Sequence, residues 1–412
     1  MHVLVIEPLG SGLLYPAAAK EMGMQVSVIT TDSGPFKIPS DIRPHIDTLI
    51  ILADHDLDRM VGAACRLHTT EPIDGVVAGV EFAVEHAAAV AKVLGLPCID
   101  PSAVPTVRDK SAMRATLQKA SIRIPKFARA TSAVDLEQVI KEVGFPAVVK
   151  PLSLAGSIGV ARVDTDAELL AAYEDIVNIH DDELGVTAGT EVLVEELLVG
   201  DEYIVDGYVT TDGQIEIFEF GKYELGPQPH FQIIGCTIHH PDDLPSAPAM
   251  AEYIEQVVRA VGITVGPFHS ELIMTKDGPV LIEIANRLPG AGLPQLGERV
   301  TGVPFIKRSL AIATGMPLPE ARSSEARAAG FYNVVSPPEL YGKTYQLLDG
   351  WDAIANSPLI DQAILLIQPG ETIPASADER SWILSIRYHA NSLSEAETFC
   401  KRILETVRVV PG

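Results

Sequence analysis

The chain has 412 residues, 47% hydrophobic and 21% charged, a globular composition too long for one ordinary core. Its 55 acidic and 31 basic residues give a formal charge of −24, which argues against nucleic acid as a partner because phosphate-backbone binding needs clustered Lys and Arg. No apolar run approaches the roughly 20 residues of a membrane span. MHVLVIEPLGSG has no basic leader, and the scattered Cys65, Cys98, Cys236 and Cys400 lack zinc-ligand spacing.

A cytoplasmic enzyme without a membrane partner is therefore expected. The chain opens with an apolar run, Val3–Glu7, a Gly-containing turn, a helix to about Met22 and a second run, Val26–Thr30. With strand candidates at Thr48–Leu52 and Gly75–Ala78 and an Ala-rich helix over Glu81–Leu94, this is the β-α-β pattern of a parallel sheet. Gly10-Ser11-Gly12 and Asp32 invite a dinucleotide reading, but Tyr15 stands where the third glycine belongs, so a tight turn without cofactor is the better reading. A proline cluster in LGLPCIDPSAVP marks a boundary near residue 100.

From Asp109 a helix carries Lys110, and a strand over Ala147–Lys150 runs into a Gly/Ser loop, PLSLAGSIGV. Small residues there let backbone N–H groups approach phosphate oxygens, and a strand-end lysine adds fixed positive charge. A strand over Glu191–Glu196 ends in Glu195-Glu196, passes Leu197-Leu198 and resumes at Glu202. Such a hinge can offer acceptors to an adenine amino group and a carboxylate to ribose. Each stretch also has a plainer reading: a solvated lysine, or a hairpin whose acids face water.

A hairpin about Asp212-Gly213 follows, then a helix over Met250–Val261 and a second hairpin, Phe268–Met274 with Val280–Ile284, about Asp277-Gly278. Glu271 and Glu283 lie six residues either side of that turn and face each other across the ladder. Like charges directly opposite destabilise a sheet unless a cation joins them, which suggests Mg²⁺. Arg287, four residues beyond, is placed to reach a transferring phosphoryl group. Past residue 320 short strands and Pro/Gly turns suggest a small C-terminal α+β domain.

In this order and spacing the residues resemble the ATP-grasp superfamily, over roughly residues 1–320. The resemblance implies an α/β and α+β multidomain fold. A Rossmann-like pre-ATP-grasp domain would span 1–104, an ATP-grasp domain of two lobes 105–320 with a hinge near 196–200, and a small α+β domain 321–412. It assigns Lys110 and Lys150 to phosphates, Ser153, Gly156 and Ser157 to the flexible loop, Glu195, Glu196 and Leu198 to adenine, and Glu202 to ribose. Glu271 and Glu283 become metal-bridging acids and Arg287 the phosphate-binding arginine, with Lys222 and His269 as further catalytic candidates.

Length, the N-terminal VLVIEPLGSG and the small C-terminal domain are most similar to the L-amino acid ligases, the dipeptide-forming branch. That implies ATP with Mg²⁺ or Mn²⁺, an acyl phosphate intermediate, small carboxylate and amine substrates, and room for a homodimer. A carboxylase acting through carboxyphosphate and a non-catalytic nucleotide binder remain as alternatives. Two positions depart from the pattern. Many members carry Asn two residues after the second metal acid; here that position is Ala285, with Asn286 next as the shifted candidate ligand. Dipeptide-forming relatives hold an acid shortly after the Phe of a segment like PHFQIIGC; here Gln232, Ile233 and Ile234 follow, which bears on recognition of a free α-amino group.

Overall fold

A computed structural model describes the chain except residues 153, 155–157, 182–185, 188, 227–229 and 376–380 and the side chains of 180, 181, 186 and 187. Strands β1 (His2–Ile6), β2 (Gln25–Thr30), β3 (Thr48–Ile51) and β4 (Gly75–Ala78) form a parallel sheet in the order β3-β2-β1-β4. Every residue of β1 is buried. Helix α1 (Leu14–Glu21) covers one face, and α2 (Leu57–Thr70) and α3 (Val84–Leu94) cover the other. A strand buried on both faces reads as an unbroken apolar run, which is why this sheet was legible. The Gly10-Ser11-Gly12 turn packs loop against loop: a Cβ on Gly12 would lie 2.1 Å from the Gly79 carbonyl oxygen. Asp32 accepts from Arg43 at 2.6 Å and from the Ile38 N–H at 2.9 Å, pinning its own turn.

Helices α4 (Val104–Arg108) and α5 (Lys110–Lys119) lead to a smaller antiparallel sheet. Its strands are β5 (Phe127–Ala130), β6 (Ala147–Pro151) and β7 (Ala161–Val163), joined by β10 (Val192–Glu196) in the order β5-β10-β6-β7. Strands β8 (His180–Asp181) and β9 (Val186–Thr187) pair only with each other. Helices α6 (Leu136–Val143) and α7 (Asp166–Val177) pack on this sheet through Val139, Val149, Leu169 and Val194.

The third sheet has eight strands. It contains β11 (Gly200–Val209), β12 (Ile215–Leu225), β13 (Ile233–His239), β14 (Gly266–Thr275), β15 (Gly278–Ala285) and β16 (Ala328–Val335). After β17 (Tyr345–Asp349) come β18 (Ile360–Leu365) and β19 (Trp382–Ala390), and the order is β15-β14-β11-β12-β13-β16-β19-β18. Strand β17 pairs with β20 (Arg408–Pro411). The region past residue 320 is therefore α+β, but three of its strands continue the central sheet. It shares that sheet with 105–320 and is not a separate layer.

Helix α8 (Ala247–Val261), with α5, packs on one face through Met113, Leu117, Ile254, Val257, Leu272 and Leu281. Helix α9 (Leu293–Thr301) covers part of the other face, against Tyr223, Cys236 and Phe331. Helices α10 (Phe305–Thr314) and α11 (Leu393–Thr406) pack under the first sheet and the C-terminal strands respectively. Side chains alternate along a strand, so Glu202, Glu271 and Glu283 project from the face away from α8. Among the described residues no helix is long and apolar enough to cross a membrane.

Candidate active site

Asp109 caps α5 by accepting the Ala112 N–H at 2.8 Å, which fixes Lys110 in the first turn. The Lys110 Nζ donates to the Leu154 carbonyl at 2.9 Å and lies 2.8 Å from Glu283 Oε2. One turn further on the same helix face, the fully buried Arg114 donates its Nε to Glu195 Oε1 at 2.5 Å. A second Arg114 nitrogen donates to the Ile282 carbonyl at 2.7 Å. Arg114 thus ties β10 of the small sheet to β15 of the large one. Lys150, buried near the end of β6, places its Nζ on the other Glu195 oxygen. Burial works against the Glu195 carboxylate, but Arg114 and Lys150 outweigh it and hold the pKa below the ordinary value. Burial pulls Lys150 down despite Glu195 beside it.

Sequence reasoning set Glu195 toward adenine; in the structure its carboxylate turns to these two cations. Glu196 and Leu198 lie where β10 runs out, beside Leu197 and Val199, and line a cleft of about 310 Å³ between the two sheets. Lys110, Lys150, Glu202, Glu271 and Glu283 line the same cleft. Ser153, Gly156 and Ser157 lie outside the described residues.

The β14–β15 hairpin turns through Lys276-Asp277, with Thr275 paired to Gly278. An undisturbed ladder from that turn would set Glu271 opposite Ile282. A bulge at Ile282 shifts the register, so Leu272 pairs with Leu281 but Glu271 with Glu283. Glu271 accepts from Tyr223 Oη at 3.0 Å. Burial alone would raise the Glu283 pKa, but Lys110 wins and holds it at about 2. Glu202 is pushed up to about 8 by burial and by the neighbouring Glu271 and Glu283. A carboxyl that keeps its proton beside two others marks a face short of positive charge, and an all-oxygen donor set suits a hard cation. Among the described residues no three His, Cys, Asp or Glu side chains group closely enough to hold an ion; the two facing acids are the pair that a cation shared with a ligand could use. That matches the way Mg²⁺ takes one or two carboxylates and shares the rest of its shell with phosphate and water.

Arg287, past the end of β15, donates its Nε to Glu81 Oε2 at 2.6 Å and another nitrogen to the Leu288 carbonyl at 2.8 Å. Glu81 comes from the first domain and also accepts from Arg108 at 2.7 Å. Burial would raise Glu81, but the Arg287 and Arg108 guanidinium groups hold it below the ordinary value.

Two expected site residues are not with the others. Asn286 falls on the strand face opposite Glu283, and its Nδ2 donates to the Val265 carbonyl at 3.2 Å and the Pro267 carbonyl at 2.8 Å. Ala285 occupies the acid face, so Asn286 does not stand beside the acids. Lys222 shares a face with its cross-strand partner Tyr203, against α8, and pairs with Asp201 at 2.8 Å. The same period-2 alternation that aims Tyr223 at Glu271 turns Lys222 away from it.

His269 stands behind the acids. Its Nδ1 is 2.8 Å from Asp206 Oδ1 and its Nε2 is 3.5 Å from Glu271 Oε1. Burial disfavours its charged form, yet Asp206 and Glu271 outweigh that and push its pKa to about 10. Glu219, paired across the ladder with Asp206, is fully buried with both oxygens unpartnered, as is Asp206 Oδ2. Burial and Asp206 raise Glu219 well above its ordinary value. It keeps its proton in the folded protein, whereas the unfolded side chain titrates at about 4.3. Wild-type stability therefore falls as pH rises above that value, by about 1.4 kcal/mol per unit, until the folded pKa is reached. Glu219→Gln keeps the shape and needs no proton. Its unfolding free energy should exceed that of wild type, by a wider margin at pH 7 than at pH 5. An equal gap at the two pH values in urea unfolding would refute the buried proton.

Comparison with known proteins adds to this geometry. Residues 143–295 match the ATP-grasp domain family and residues 16–98 the ATP-grasp N-terminal domain family, together more than half of the chain. The Sinorhizobium fredii protein y4rH is 27% identical over 98% of this chain and 82% of its own length. Dapdiamide A synthase of Enterobacter agglomerans is 32% identical over 47% of this chain, and the match takes in only 46% of that enzyme. The crystal structure of an L-amino acid ligase from Bacillus licheniformis shares the fold, with a TM-score of 0.80 at 21% identity, over 99% of this chain and 98% of that one. The chain belongs to the ATP-grasp superfamily.

Proposed function

We propose that the protein is an ATP-dependent carboxylate–amine ligase that forms an amide through an acyl phosphate, acting on an amino acid or a related small acid. One observation carries this reading: Glu271 and Glu283 face each other at the rim of a cleft that also holds Lys110, Lys150 and the β10 exit. The adenine would lie along Glu196–Leu198 and the phosphates would run toward the lysines and the acids. A divalent ion bridged by Glu271 and Glu283 would neutralise phosphate charge. The γ-phosphoryl group passes to a substrate carboxylate oxygen, and the bond to ADP breaks. The amine then attacks the acyl carbon, the carbon–oxygen bond to phosphate breaks, and the amine nitrogen loses a proton as the amide forms.

The protein forms no covalent bond in this scheme, so its part is positioning and charge neutralisation. Arg287 is held by Glu81 close to the acids, and Lys110 is held by Glu283, so both cations are fixed before a substrate arrives. Leu225, Phe231 and Ile233 give the cleft an apolar wall where relatives are expected to carry an acid, which favours an activated substrate without a cationic group at that point. The relatives named as a dapdiamide synthase and an amino acid ligase support the amide-forming reading. The test is phosphate release from ATP and Mg²⁺ across amino acids and small acids, singly and in pairs. Release only with acid–amine pairs is expected; release with one acid plus bicarbonate and no amine would establish a carboxylase instead.

A further inference from the structure

Among the described residues, a cation without a partner lies at the far end of the loop that begins with Arg287. Tyr223, Cys236, Phe331 and Arg387 form one row across β12, β13, β16 and β19, all on the face that α9 covers. At about 4.8 Å per strand the row carries Arg387 roughly 14 Å from Tyr223, and Tyr223 donates to Glu271. The Arg387 guanidinium lies on the backbone of Gly292: a Cβ there would be 2.6 Å from one of its nitrogens. Gly292 has φ 74° and is the N-cap of α9, and Ala291 before it also has positive φ, 53°. Arg387 is partly buried and makes no hydrogen bond or ion pair among the described residues. His389, two residues along, is closed into its own set with Asp361 and Arg299.

This placement is unfavourable for a resting protein. A helix N-terminus carries partial positive charge and stabilises anions, yet here a guanidinium is pressed against it with no counter-charge. A second observation points the same way. On the same face of β16, diagonal to Arg387, Asn333 is 1% exposed with both amide atoms unpartnered. The Trp382 indole N–H nearby is also buried and unpartnered, its ring 6.4 Å from that of Phe331. Buried amides and indoles normally find partners, so this face of the sheet holds donors that no described residue uses.

Resting on the ligase reading, we propose that Arg387 and Asn333, beside the start of α9, form a subsite for a substrate carboxylate other than the one activated. The loop from Arg287 to Gly292 then runs from the reacting end of the substrates to an anchoring end. A bidentate guanidinium fork matches a carboxylate there. The carboxylate can belong to the amine, as the free acid group of an amino acid, or to a second acid group on the activated substrate.

The experiment uses the full chain with Arg387→Gln and Arg387→Lys. Without ligand, Arg387→Gln is expected to unfold at a temperature equal to or above wild type, because it removes an uncompensated charge. Acetate and malonate, titrated at constant ionic strength, should raise the wild-type midpoint and leave that of Arg387→Gln unmoved, a readout that holds whether or not turnover is found. In turnover, Arg387→Gln should raise KM about 10- to 100-fold for the substrate that carries the extra carboxylate, with the ATP KM unchanged and partial recovery in Arg387→Lys. Wild type should discriminate by the same factor against the carboxamide of the amine, or against the mono-acid analogue of the activated substrate; which one identifies the source. A destabilised Arg387→Gln with equal anion response, or indifference to both analogues, would overturn the subsite. Absence of ADP formation with every pair would overturn the ligase reading, while the anion titration would still decide whether the site binds carboxylate.

Discussion

Glu283→Ala is expected to abolish amine-dependent ADP release, lowering kcat by about 10²–10³-fold or more, with the fold intact. The carboxylate lines the cleft and pairs with Lys110 at 2.8 Å. Lys110 keeps the Leu154 carbonyl at 2.9 Å when that partner is removed, and the substitution opens into the cleft, so little packing is lost. Removing the acid leaves Glu271 facing nothing across the ladder, and phosphate charge loses half of its protein-held counter-ion cradle. Glu283→Gln should fail almost as badly, because an amide cannot supply the negative charge a bridging cation requires. Single-turnover ADP formation alongside circular dichroism separates the two effects. Turnover within a few-fold of wild type would remove the facing acids from the chemistry.

Arg114→Ala should produce the largest loss of stability, about 3–5 kcal/mol, the usual range for breaking one member of a buried ion-pair set. The change strips the buried Glu195 of one of its two cations and leaves the Ile282 carbonyl without its donor. Burial already opposes the Glu195 charge, so with Lys150 alone remaining the carboxyl is expected to titrate higher. Urea unfolding followed by a probe in the small sheet would register the loss. A shift below about 1 kcal/mol would mean that water reaches the site in solution and that the two sheets are joined there only loosely. Arg114→Lys should recover little, since one ammonium cannot reproduce a fork that spans two strands.

The first sheet was legible because fully buried parallel strands announce themselves as apolar runs, and the observed strands fall within a residue or so of those expected. The facing of Glu271 and Glu283 was read correctly by counting from the turn, but the count placed the turn one residue late. The two-residue turn at Lys276-Asp277 and the bulge at Ile282 offset each other, and a bulge leaves little trace in residue types. Lys222 and Asn286 were misplaced by one step of alternation, the error to which period-2 elements are most sensitive. Arg114, Glu81 and Arg387 were missed for another reason. Each does its work through a contact distant in sequence: Arg114 to Glu195 and Ile282, Glu81 to Arg287, and Arg387 to Gly292. No local spacing marks such a residue, although a charged side chain at a core-facing position, as at Arg114, is itself a signal that a partner must exist.

The continuity of the eight-stranded sheet has a practical consequence for dissecting the protein. Ending the chain near residue 320, where turn-rich sequence suggests a cut, would strip β16 from β13 and leave Ile233–His239 as an open edge. That edge reads IIGCTIH, short of charge and free of proline, a template for pairing with other copies. The row behind it would lose Phe331 and expose Cys236, now buried. A shortened form would therefore tend to aggregate before its catalytic competence could be judged. The C-terminal quarter is better regarded as the seal on the catalytic sheet than as an appendage to it.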